Sequence, residues 1–89
     1  MDEYVAKDFG KLLKRNALQM RRLMLSSNTD VMRIYDRNLA DLPVTVDLYG
    51  LYGRITDYSE QGLSDSDITA VCDIVSRMVY IEPERVVYH

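Results

Sequence analysis

Arg33–Gly50 reads RIYDRNLADLPVTVDLYG, a strand pattern, a turn and a second strand pattern in succession. Val31–Asp36 alternates and is rich in Val, Ile and Tyr, as a strand requires. Arg37–Pro43 is a polar turn, and Pro43 suits a strand entry, where its missing N–H does no harm. Val44–Tyr49 then sets Val44, Val46 and Leu48 on one face and Thr45, Asp47 and Tyr49 on the other. Each half carries an acid inside a strand pattern, Asp36 and Asp47. Whether those acids mark a site is the question the stretch raises.

Downstream, Gly50 and Gly53 bracket a tight reversal, and Tyr52–Tyr58 is a third strand. Three strands with short connections make an antiparallel meander. Ser59–Leu63 is loop. Ser64 is an N-cap, with Asp65 and Asp67 in the first turn, where a helix N-terminus favours negative charge. Ile68, Val71, Cys72, Val75, Met78 and Val79 form the buried stripe of that helix, and Pro83 forbids its continuation beyond Ile81. Arg85–Tyr88 is a last strand, a poorly anchored edge unless something pairs with it.

Upstream, Tyr4–Leu25 is an amphipathic helix. Val5, Phe9, Leu12, Leu13, Met20, Leu23 and Met24 recur at the helical period. Lys7, Lys11, Lys14, Arg21 and Arg22 gather opposite them, with Leu18 among them. Gly10 weakens the helix by about 1 kcal/mol relative to alanine. Ser26-Ser27-Asn28 ends it. Asn16 falls within the apolar face, so its amide must find a partner across the core. The expected fold is α+β: two layers, a mostly antiparallel sheet, and the order helix, three strands, helix, strand. Residues 1–89 then form a single small domain, cut from a longer protein.

Bulk properties narrow the function. Eighty-nine residues support one small core. A hydrophobic fraction of 47% excludes wholesale disorder. No apolar run is long enough to span a bilayer, and MDEYVAKD lacks the apolar segment of a signal peptide, so a cytoplasmic protein is expected. One cysteine, Cys72, excludes an intrachain disulfide. With one histidine, His89, it also excludes a Cys/His zinc cluster. Net charge is −3, yet eight of the eleven basic residues precede Asp41, so any anion-facing surface lies near the front.

No catalytic constellation emerges. GLYG at Gly50 sits between strands, not before a helix as a phosphate loop would. The terminal histidine suits no nucleophilic triad. Cys72, on an apolar stripe, reads as core. Asp36, Asp41, Asp47 and Asp57 are compatible with a cation site, but turn capping at Asp36 and Asp41 and a solvent-facing sheet surface at Asp47 and Asp57 account for them more simply. Tyr35, Tyr49, Tyr52 and Tyr58, with Arg33 and Arg54, are compatible with a base-stacking platform, although tyrosine in strands needs no such reason. The basic stripe is open to two readings, a solvated face or a contact for phosphates.

The quoted stretch resembles a segment of bacterial large-subunit ribosomal RNA guanine methyltransferases, above all the guanine-7 methyltransferase half of the fused bifunctional enzymes. Arg33, Tyr35, Asp36, Leu39, Val44, Val46, Asp47 and Tyr49 carry the likeness. Phe9, Leu13 and Asn16 match that family's helix, and the helix from Asp65 and the strand Arg85-Val86-Val87-Tyr88 fall where the family has them. Asn38, Ala40, Leu42 and the pair Lys11-Leu12 depart from its pattern. The resemblance implies an accessory region without the catalytic Rossmann-like domain. It would be inactive alone, with S-adenosylmethionine bound only by the parent enzyme. Its partners would be that catalytic domain and ribosomal RNA, the latter through Lys7, Lys11, Lys14, Arg21 and Arg22. The alternative is a non-enzymatic protein-interaction or scaffold domain.

Overall fold

A computed structural model describes residues 1–27 and 31–89, with side chains for all of these except 23–27. The element order is α1 (Glu3–Ser27), β1 (Val31–Asp36), β2 (Val44–Tyr49), β3 (Tyr52–Asp57), α2 (Asp65–Val79), a 3-10 turn (Pro83–Arg85) and β4 (Val86–Tyr88). The expected α+β class and element order are therefore met. Leu23, Met24 and the helix stop at Ser26-Ser27-Asn28 fall on residues whose side chains or placement lie outside this description.

The four strands stand in the order β1-β2-β3-β4. β1, β2 and β3 form the antiparallel meander. β4 is not left unpaired: it runs parallel to β3, with Gly53 opposite Val86 and Ile55 opposite Tyr88. A parallel neighbour needs a long crossover, and α2 is that crossover. The reversal between β2 and β3 is a two-residue loop, Gly50-Leu51, with Gly50 at φ 56°. Primed hairpin turns demand a positive φ there, which glycine adopts without steric cost.

Both helices pack on one face of the sheet. Phe9, Leu13 and Ala17 of α1 and Val71, Ile74, Val75 and Val79 of α2 bury against Val44, Val46, Leu48 and Ile55. Gly53 lets α2 approach: a Cβ there would sit 3.4 Å from Ile81 and 3.6 Å from Val75. Ser64 caps α2 as expected, accepting the Asp67 N–H. The helix closes through Tyr80, in the left-handed conformation at φ 59°, with the Ile81 N–H donating to the Ser76 carbonyl.

One irregularity sets the phase of β1. The pairing with β2 slips between Arg33 and Tyr35, leaving Ile34 as an extra residue. Ile34 and Tyr35 are consequently both buried, although they are neighbours. The Tyr35 ring meets Phe9 edge to face, with centroids 4.8 Å apart. Its hydroxyl donates to the Leu42 carbonyl and accepts the Leu39 N–H, which pins the polar turn to the strand. Tyr35 is thus removed from any stacking platform. Asn16 meets the expectation placed on it. Its amide donates to the Ile34 carbonyl at 2.9 Å, satisfying the bulged residue from the helix side.

Candidate nucleic-acid interface

Two acids of the quoted stretch, Asp36 and Asp47, answer to one residue, while Asp41 stays in the exposed turn. Arg33 grips Asp47 with two bonds, Nε at 2.8 Å and Nη2 at 3.2 Å, and lies 3.9 Å from Asp36. Asp36 also accepts from Arg37. Asp47 is nearly buried under this bond rather than solvent-facing. The bond to Asp47 and its charge raise the Arg33 pKa further. These acids hold the corner of the sheet together and leave no open carboxylate pair.

Asp57 also departs from the solvent-facing reading. Burial pushes its carboxyl up, but the Ser59 hydroxyl, the Tyr88 hydroxyl and the Ser59 and Leu63 N–H groups all donate to it and hold it down at about 2. The Tyr88 hydroxyl is raised by burial and by that bond to Asp57. Asp57 therefore clamps the loop before α2 to the last strand. Cys72 lies half-buried in α2, and burial raises its thiol, which leaves it a packing residue.

The basic residues of α1 part company. Lys7, Lys11 and Lys14 line a groove of about 400 Å³ between α1 and α2, floored by Gly10, Ile74 and Met78. Gly10 is buried there because α2 passes close: a Cβ would lie 3.6 Å from Met78. The groove continues past Lys14 and Leu18 toward Arg21 and Tyr80. Arg21 donates to the Val79 carbonyl at 2.7 Å and so completes the C-terminus of α2. Its role is structural before it is anything else. Arg22 is exposed but lines neither stretch. Arg77, which the sequence reading passed over, completes the rim from α2 while paired with Asp73 at 2.9 Å. Its neighbour Met78 was readable as stripe, and the residue beside a stripe borders the adjoining helix.

Chemically the groove offers ammonium charges on flexible stems around an apolar floor. Among the described residues its walls hold no carboxylate, thiol or imidazole. Such a surface is suited to attracting anions by charge. No helix among the described residues is long and apolar enough to cross a membrane.

Fold and groove together define a two-layer α+β domain with a cationic helical face. The chain is similar to ribosomal RNA large subunit methyltransferases K/L. It is 32% identical over 53 residues to that of Psychrobacter arcticus and 38% identical over 52 residues to that of Alteromonas mediterranea. These matches cover 60% and 58% of this chain and 7% of each relative's length. No protein-family model matches the chain. A likeness to large-subunit ribosomal RNA methyltransferases is therefore found over about 60% of the chain, and the relatives are far longer than the segment matched.

Proposed function

We propose that this chain is an accessory, substrate-positioning region of an S-adenosylmethionine-dependent 23S ribosomal RNA guanine methyltransferase of the cytoplasm. The observation that carries the reading is the lysine-rimmed groove on a chain that is similar, over 53 of its residues, to enzymes named for ribosomal RNA. Among the described residues, none forms a loop that fits the cofactor. The glycine-bearing reversal at Gly50 is a hairpin turn, and α2 begins after Ser64 rather than after a glycine-rich strand-to-helix loop. Cofactor and methyl transfer accordingly fall to a catalytic domain of the parent enzyme. This region supplies grip: Lys7, Lys11 and Lys14 lie on one helical stripe and meet phosphates, a contact that senses charge and not base edges.

The test is RNA binding by wild type and by a Lys7→Glu, Lys11→Glu, Lys14→Glu variant at two salt concentrations. Arg21 is left intact, since its bond to Val79 would confuse folding with binding. Binding by the wild type should be sequence-tolerant and steeply salt-dependent, and the variant should lose it. Equal affinities at low salt would reduce the stripe to a solvated face.

A further inference from the structure

The face of the sheet turned away from the helices is aromatic and cationic. Register and alternation place Val31, Tyr49 and Tyr52 in one row, and Arg33, Asp47, Arg54 and Val87 in the next. Tyr49 is 37% exposed and Tyr52 51%. Arg85, just before β4, lays its guanidinium carbon 5.4 Å from the centroid of the Tyr52 ring. At the far margin Arg37 lies likewise over Tyr58, at 5.1 Å. The two rows and their border thus hold Arg33, Arg54 and Arg85 against Asp47 and the bordering Asp36, both of which Arg33 faces, in a protein of net charge −3.

That combination selects a ligand. Protein-docking patches share tyrosine and arginine with this face but are depleted of carboxylates at their centre; here Asp47 sits between Arg33 and Arg54. Open tyrosine rings flanked by arginine planes are the means by which proteins hold single strands, since every base has a π-face and every linkage a negative charge. We propose that this open sheet face binds single-stranded RNA, with unpaired bases stacking on Tyr49 and Tyr52 and with Arg54 and Arg85 meeting the backbone. The choice of RNA over DNA rests on the function proposed above; the site itself does not use the lysine groove, which lies on the helical side. Arg33, locked by Asp47, stays with the sheet.

The test uses the 89-residue chain and a labelled single-stranded ribo-oligonucleotide of about twelve nucleotides, with the same sequence as a duplex for comparison. Tyr49→Ala and Tyr52→Ala should each weaken single-strand binding about five- to a hundredfold. Tyr49→Phe and Tyr52→Phe should bind as wild type, because stacking needs the ring and not the hydroxyl. The ring proton resonances of Tyr49 and Tyr52 should move upfield on binding. Circular dichroism of the alanine variants should match wild type, since both rings stand at the surface. Alanine variants that bind the single strand normally, or rings whose resonances stay in place, overturn the inference. If only the lysine variant loses binding, the sheet site is wrong and the groove stands. If only the alanine variants lose it, the groove is wrong and the sheet site stands.

Discussion

Replacing Asn16 by alanine tests the joint between helix and sheet. The amide donates at 2.9 Å to the carbonyl of Ile34, the extra residue of the β1 bulge. Removing the donor leaves a partly buried carbonyl without its partner, at a cost of about 1–3 kcal/mol. Alanine returns roughly 0.5 kcal/mol through better helix propensity. Asn16 is half-buried, so water can reach part of the vacated space and the loss falls toward the lower end. The expected net destabilisation is about 1 kcal/mol, which lowers the melting temperature of a domain this size by about 4–8 °C. Asn16→Asp sharpens the test: it keeps the shape, removes the donor and turns a charge toward the carbonyl, so it should cost more than alanine at neutral pH. Urea titration followed by circular dichroism measures both. An alanine variant with wild-type midpoint, or an aspartate variant more stable than the alanine one, would refute the assignment of the amide to Ile34.

Other substitutions probe separate parts of the fold. Gly10→Ala should stabilise by about 0.5–1 kcal/mol, because helix propensity improves and the added methyl meets Met78 and Ile74 at ordinary contact distance; a lower melting temperature would mean the helices sit closer than described. Tyr80→Gly should also stabilise, by roughly 0.5–1 kcal/mol, since an exposed tyrosine now occupies a left-handed position; thermal melts decide it. Asp57 has its carboxyl at about 2, below the ordinary value of 3.8, so the stability it confers is complete above about pH 4 and lost as pH falls toward 2. With solvent screening allowed for, that contribution is about 1–2 kcal/mol. Asp57→Asn should lose it at neutral pH and flatten the acid limb of the stability curve, which unfolding at a series of pH values reads directly.

Much of the fold was legible in the residues. The strands declared themselves by alternation, α2 by Ser64 and its acidic first turn, and the core side of α1 by Phe9, Leu13 and the odd amide of Asn16. What escaped depends on contacts distant in sequence. A bulge is a single inserted residue, so alternation alone cannot reveal that Tyr35 turns inward with Ile34. The parallel partner of β4 follows from the path of α2, not from Val86-Val87-Tyr88. The site was legible only in part. The stripe of Lys7, Lys11 and Lys14 is visible by helical period, but that Arg21 is held by Val79 and that Arg77 joins the rim emerges only when two helices lie side by side. Asp57 likewise looked like surface until Ser59, Leu63 and Tyr88 closed on it.

The parallel attachment of β4 has a consequence for the order in which the molecule assembles. The hairpin of β2 and β3 closes over a two-residue loop, a local event on the microsecond scale. β4 must wait for α2 to form and dock before Val86 can meet Gly53, and the Tyr88–Asp57 contact spans 31 residues. Contacts of long sequence separation repay their loop-closure entropy last. β4 is therefore the last strand to join and the first to leave, and native-state hydrogen exchange should find the amides of Val87 and His89 opening while those of Val46 and Arg54, which face β1 and β2, remain closed.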